Sequence, residues 1–337
     1  MKLCEATKCT GCGSCSNACP KQCITMVENS IGFKYPSIDI EKCVNCGICT
    51  NSCPKLNPID FSKPNALYSL TYVEDNVTLK KSSSGGASYA LGKIIIQQGG
   101  VVFGAVYNQN MKVEHIEIKS IEDLSKSQGS KYVQSDLGDC FKKIRKYLSE
   151  NKKVLFIGTP CQVAGVLKYN EKVDTSNLFT CDLFCGGVPS PKVFNKYVNY
   201  LNEKYNISIV DMNFRSKRYG YGYGYLISSI DSNKKQKILS QKDSSYMKCV
   251  GAGYVRESCF KCEYSNPNRI SDLTIGDYWH LKANYEQWHK GISLVLCNSE
   301  KGKTLLNDIR RISKIEEIDI KSLNKSQGVS INGSKKN

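Results

Sequence analysis

This sequence predicts a small α+β, ferredoxin-like domain over residues 1–60 and a larger α/β body with a mixed sheet over residues 61–320, followed by a polar tail over 321–337. Two observations predict it. Residues 9–54 repeat one cysteine pattern, first as CTGCGSCSNACP and then as CVNCGICTNSCP. From Leu67 onward, strand-like and helix-like stretches alternate, which is the signature of an α/β layer architecture. Between them LNPIDFSKPN, with two prolines among polar residues, reads as the joint.

In each cysteine run the thiols fall at relative positions 0, 3, 6 and 10, and a proline follows the last. That is the spacing of bacterial two-cluster ferredoxins, in which the fourth cysteine of each run ligates the other cluster. Cys9, Cys12 and Cys15 are then completed by Cys53, and Cys43, Cys46 and Cys49 by Cys19. Gly13 and Gly47 relieve backbone crowding in the tight loops, and Pro20 and Pro54 turn the chain away. Disulfides fit poorly, because close CxxCxxC triplets cannot readily pair with one another. Structural zinc fits poorly too, since it favours two separated pairs. Cys4 and Cys23 lie outside the pattern and read as small buried hydrophobes.

Composition narrows the class. Eighteen cysteines point to metal ligation in a reducing compartment. No basic and apolar leader opens the chain and no apolar run is long enough to span a bilayer, so the expectation is a cytoplasmic protein without membrane insertion. A net charge of +16 calls for anionic partners. The lysines are scattered rather than massed in runs, which argues against nucleic acid and leaves a membrane surface or acidic proteins and cofactors, between which composition does not choose.

Along the body, LYSLTYV reads as a strand, and SSSGGASYALGKIIIQQGG as a glycine-rich turn opening a helix that ends at Gly99 and Gly100. VVFGAVY and VEHIEIK read as strands joined around residues 108–110. Ser120 with Asp123 marks a capped helix start, and Phe141, Ile144 and Leu148 mark the next helix. VLFIG is a short buried strand, after which Thr159 caps a helix with Pro160 in its first turn. NLFTCDLF is another strand. Val193, Phe194, Tyr197, Val198 and Leu201 then share one face of a helix. VDMNFRS, YGYGYLISSI, DLTIGDYW and GISLVLC are the later strands, with a helix near Lys303 to Ile309.

Helix N-termini attract anions, because their first N–H groups lack partners. Ser82 to Gly86 is one such place and could cradle a phosphate; a plain flexible turn is the alternative. Thr159 to Cys161 is another, where a thiolate is favoured. Cys259 and Cys262 form a further CxxC, which fits zinc, redox chemistry or half a cluster. Arg215, Lys217 and Arg218 precede YGYGYGY, whose tyrosines 219, 221, 223 and 225 share one face and glycines 220, 222 and 224 the other. The tyrosine stripe reads as sheet packing rather than a base-stacking platform.

SSSGGASYAL, SKYVQSDLG, VLFIGTPCQVAGV, DLFCGGVPSP, FRSKRYGYG and SCFKCEYSNPNRISDLTIGDYW, in that order, resemble the coenzyme F420 hydrogenase/dehydrogenase β-subunit family, over about Leu67 to Arg310. The resemblance implies bound FAD and a body-held 4Fe-4S cluster, with Cys161, Cys185, Cys259 and Cys262 as its ligands. The candidate cofactor-binding set is Ser83, Ser84, Gly85, Gly86, Ser130, Lys131, Thr159, Arg215, Lys217 and Asp277. Two departures bear on the substrate. The family's usual Cys-His-Gly is Cys185-Gly186-Gly187 here, and its usual glycine after Asp-Tyr-Trp is His280.

Chemistry argues for a flavin as well. A cubane passes single electrons whereas organic substrates take two, and a flavin converts between them. The leading expectation is therefore an iron-sulfur flavin oxidoreductase that relays electrons from an acidic ferredoxin-type partner through two N-terminal 4Fe-4S clusters and a third in the body to FAD. A small-molecule substrate, coenzyme F420 among the options, completes the reaction, and no catalytic residue is assigned. The alternatives are a non-enzymatic electron-transfer subunit and, more remotely, a nucleic-acid-binding iron-sulfur protein.

Overall fold

The computed structural model describes residues 3–220, 227–239, 243, 245–251, 254–278 and 290–319. The tyrosine-glycine stretch beyond Gly220, His280 and the polar tail lie outside them.

The N-terminal domain has pseudo-twofold form, as its doubled sequence demands. Helix α1 (Ser14–Ala18) follows the first CxxC and helix α2 (Ile48–Asn51) the second. Gly13 and Gly47, at φ 72° and 76°, turn the chain into them through the left-handed region where a side chain is strained. Strands β1 (Ile24–Glu28) and β2 (Lys34–Ile38) pair antiparallel between the two halves. The Ser14 hydroxyl donates to the Ser52 carbonyl at 2.7 Å and so stitches the halves together.

The body is built on an eight-stranded sheet. In chain order its strands are β3 (Ala66–Tyr72), β4 (Val101–Tyr107), β5 (Val113–Ile118), β6 (Val154–Gly158), β7 (Leu178–Leu183), β11 (Leu273–Asp277), β12 (Ser293–Cys297) and β13 (Ser313–Glu317). In space they run β13-β3-β12-β11-β7-β6-β4-β5. β11, β7, β6 and β4 are parallel neighbours, and the remaining pairings are antiparallel. The mixed sheet thus matches the α/β expectation, with the parallel strands central, where both faces are covered.

Side-chain alternation divides the core. Short helices α3 (Asn76–Lys81) and α5 (Ile121–Lys126) follow β3 and β5 in the chain. Val102 and Leu155 face helix α4 (Ala87–Gln97), whose Ala90, Leu91, Ile94 and Ile95 are fully buried. Their neighbours Phe103, Val154 and Phe156 point the other way, toward α6 (Cys140–Ser149) and α7 (Pro160–Asn170). A second, three-stranded sheet of β8 (Ile209–Asn213), β9 (Ser228–Asp231) and β10 (Gln236–Ile238) packs with α8 (Pro191–Tyr205), which buries Phe194, Tyr197, Val198 and Leu201. The joint is built into the body rather than free. Ser62 bridges Arg269, and Asn65 donates to the Cys297 carbonyl at 2.7 Å. Among the described residues no helix is long and apolar enough to cross a membrane.

Candidate iron-sulfur centres and a cationic loop cluster

The two cysteine runs line two cavities, and each cavity takes its fourth thiol from the other run. Cys9, Cys12, Cys15 and Cys53 surround the first. Cys19, Cys43, Cys46 and Cys49 surround the second. Each also holds a fifth cysteine that the spacing rule does not include. Half-buried Cys4 lines the first. Cys23 lines the second, with its sulfur 3.3 Å from that of Cys19. Cys4 therefore departs from the buried-hydrophobe expectation, because the first loop leaves it at the cavity rim. Desolvation, with the Cys53 and Cys9 charges, pushes its thiol up to about 12.

A third group of thiols assembles at the C-terminal edge of the parallel strands, where open α/β sheets place their sites. β6 ends in Gly158, and Thr159 then opens α7; the Gln162 side chain accepts from the Thr159 backbone N–H at 3.0 Å and fixes the turn. Cys161 follows, with its sulfur 3.3 Å from the Thr159 hydroxyl. β7, the next strand, ends just before Cys185. Cys259 and Cys262 arrive from a distant loop that is laid on the Cys185 loop by the Pro189–Val255 bridge and by Arg256 N–H donating to Val188 O at 3.0 Å. The four thiols sense one another. Burial pushes Cys161 well up and the charges of Cys185, Cys262 and Cys259 add to it, while burial and the Cys259 and Cys262 charges take Cys185 to about 12.

Four soft thiolates per site fit a cubane, which takes one thiolate per iron. Among the described residues no three His, Cys, Asp or Glu side chains are arranged to hold a single metal ion.

The first cavity and the body thiols are neighbours. Cys12 packs against Gly165 of α7, the helix whose first turn carries Cys161. Burial pushes the Tyr264 phenol far up, and the charges of Glu263, Cys161 and Cys12 push it further, so this ring stands beside both thiol groups. Several polar contacts hold the domain there. Lys55 pairs with Glu263 at 2.9 Å, Gln134 donates to Thr10 O at 3.0 Å and Asn17 to Gly138 O at 2.9 Å. The second cavity is on the outside, where Cys46 is exposed.

The residues expected to bind a cofactor divide into two places. Thr159 lies with the body thiols. The rest converge elsewhere, where loops 82–86 and 127–131 meet the strand ends. Ser83 accepts from Ser130 N–H at 2.7 Å and from its hydroxyl at 2.9 Å. Ser84 donates to Ile292 O at 2.6 Å, and Gly85 N–H donates to the Ser293 hydroxyl at 3.0 Å. Gly85 is needed for packing, since a Cβ there would strike Leu70 and Ser293.

Three cations attend these loops. Arg215 pairs with Asp277 at 2.7 Å. Lys217 donates to the carbonyls of Leu79 at 2.9 Å, Lys290 at 2.8 Å and Ser84. Lys131 donates to Gln128 O at 3.0 Å and to Ser127 and Gly129 O at 3.3 Å. Burial pulls Lys217 down to about 7 and Lys131 to about 8. Each ammonium gives its N–H groups to three backbone carbonyls, so both lysines brace the loops from within. Arg218, the third member of the basic triplet, is exposed.

Residues 151–322 match the family described as the C terminus of the coenzyme F420 hydrogenase/dehydrogenase beta subunit. Residues 8–57 match the 4Fe-4S dicluster domain. No curated protein matches the chain. Among solved structures, a chain from the F420-reducing NiFe hydrogenase complex of Methanosarcina barkeri is similar in fold, at TM-score 0.53 and 17% identity over 80% of this chain and 88% of that one.

Proposed function

Because the chain belongs to the coenzyme F420 hydrogenase/dehydrogenase β-subunit family and opens with a 4Fe-4S dicluster domain, we propose that it is an iron-sulfur flavin oxidoreductase relaying single electrons inward from a one-electron carrier. The observation that carries this reading is the contact between Cys12 and Gly165, which sets the first cavity against the helix whose first turn carries Cys161. The path then runs from the exposed second cluster to the first, to a third held by Cys161, Cys185, Cys259 and Cys262, and on to FAD. An acidic ferredoxin-type protein suits the net charge of +16 as the partner.

FAD, when bound, supplies the conversion between one-electron and two-electron chemistry. Loops 82–86 and 127–131, braced by Lys217 and Lys131 and flanked by the Arg215–Asp277 pair, would frame it. The substrate is a small organic molecule, with coenzyme F420 one candidate because its phosphate and glutamate tail are anionic.

Anaerobic purification tests the cofactors: about twelve irons and about one flavin per chain are expected. Stopped-flow bleaching of the flavin by reduced ferredoxin tests the relay, with Cys12→Ser as the control lacking the first cluster. Bleaching should slow in that variant and should also slow as salt screens the attraction. Equal rates with and without the N-terminal clusters would sink the relay.

A second reading is favoured by the similar chain's place in a larger hydrogenase complex. There the chain hands electrons to a partner protein and turns over no small molecule. Flavin that is reducible through the clusters but inert to every small acceptor would select it.

A further inference from the structure

We infer that Arg256 is the electrostatic bias of the relay, a buried cation that raises the reduction potentials of the first N-terminal cluster and the body cluster relative to the outer one. The inference rests on the cluster assignments proposed above.

Arg256 is 0% exposed, the largest side chain so enclosed. Every group it bonds is neutral. Its Nε donates to Cys9 O at 2.7 Å, one Nη to the Gln134 side-chain oxygen at 3.1 Å and the other to Lys34 O at 3.0 Å. The Tyr35 ring lies 4.2 Å and the Phe33 ring 5.4 Å from the guanidinium carbon. Among the described residues no carboxylate pairs with it, in contrast to buried Arg269 and Arg215, which pair with Asp182 and Asp277. A guanidinium taken out of water without an anion is costly, and arginine cannot shed its proton to escape.

The ionisable groups it adjoins are thiols, and its charge acts on that of Cys259. On one side the guanidinium bonds the carbonyl of Cys9, and its nitrogen is so close to Gly11 that a Cβ there would lie 2.8 Å away. On the other side the Arg256 carbonyl accepts from Cys259 N–H at 2.9 Å, so the same residue anchors a body thiol. A cubane with four thiolates is anionic when oxidised, and the electron it accepts from its donor adds one more negative charge. A cation fixed in a dry setting favours that reduced form, because cluster potentials follow local charge and hydrogen bonding. The cations at the outer cluster are solvated instead: Lys21 lines its cavity but is exposed. Lys42 beside it is paired with Asp39 at 2.9 Å, and both groups are solvated.

The test is a redox titration of the full chain followed by electron paramagnetic resonance, with the outer cluster's signal assigned by its loss in Cys19→Ala. In Arg256→Met the first and body clusters should fall by about 59 mV, a tenfold loss of reduced form at fixed potential, while the outer cluster moves by well under half of that. Arg256→Lys keeps the charge and should retain most of the bias. Equal shifts in all three clusters, no shift in the inner two, or an Arg256→Lys loss as large as that of Arg256→Met would overturn the inference. Should Arg256→Met fail to assemble, Gln134→Glu places a carboxylate against the intact guanidinium. A selective fall in the two inner potentials then supports the inference, and unchanged potentials overturn it. Iron analysis of the same samples separates the two levels: missing clusters refute the proposed function, whereas three intact clusters without a selective shift refute only the role of Arg256.

Discussion

Cys12 and Gly165 meet so closely that a methyl group on Gly165 would lie 3.0 Å from the Cys12 Cβ. The same methyl would lie 3.1 Å from the Phe141 ring, so neither side has room to yield. Gly165→Val should destabilise the protein by roughly 1–3 kcal/mol through overpacking. On the proposed relay it should also slow electron transfer between the first cluster and the one assigned to the body thiols, while each keeps its iron. Thermal unfolding together with freeze-quenched spectra of the two clusters checks both.

The crossover predicts an asymmetric loss. Cys19 sits in the first run but lines the cavity of Cys43, Cys46 and Cys49. Cys19→Ala should remove about four irons per chain and abolish the outer cluster's signal. Loss confined to the first cluster's spectrum would show that the runs do not exchange ligands.

Arg269 and Asp182 form a fully buried ion pair at 3.0 Å beside the Cys185 loop. Arg269 further donates to Thr274 Oγ1 and Asn266 O, both at 3.1 Å, tying the chain before β11 to β7. Arg269→Met should cost about 3–5 kcal/mol by stranding a buried carboxylate. The double variant with Asp182→Asn should recover part of that, measured by denaturant unfolding. Equal instability in the single and double variants would show that the charge is not the cause.

Lys217 predicts a pH slope. Its folded value of about 7 lies below the ordinary 10.5, so between these limits the unfolded chain holds the extra proton. The cost of burying this ammonium is therefore full below about pH 7, and stability rises as pH climbs from there toward the ordinary lysine value. Melting temperature followed across that window should show the rise. In Lys217→Met mean stability should fall, because the carbonyls of Leu79, Ser84 and Lys290 lose their donor, but this part of the slope should vanish. An unchanged slope would exclude Lys217 as its source.

Much of this architecture was legible because it depends on local rules. The cysteine interval, the positive-φ glycines before α1 and α2, and the Val154–Gly158 strand running into the Thr159 cap are each settled within a few residues. Ser120 accepting from Asp123 N–H at 3.1 Å is as local. The glycine-rich turn at 82–86 was legible only in part. Its glycines were read as admitting a phosphate or as a plain turn, whereas Gly85 is held by Leu70 and Ser293, residues that no local pattern connects to it.

Arg256 and Tyr264 carried no signal at all. A lone arginine before a CxxC is ordinary, and its burial arises only once Cys9, Lys34 and Gln134 come from three other segments to meet it. Cys4 and Cys23 were likewise silent, since nothing in their spacing distinguishes a thiol beside a cavity from one in a core.

By itself the sequence determined the two cysteine runs, their exchange of fourth ligands, and the alternation that makes the body α/β, because covalent spacing and side-chain periodicity act over short lengths of chain. Only the tertiary structure decided which cluster faces the body and which faces outward. That choice rests on Cys12 against Gly165, Lys55 against Glu263 and Arg256 against Cys9, contacts between segments 100 or more residues apart whose partners are selected by shape and charge after the domains have formed.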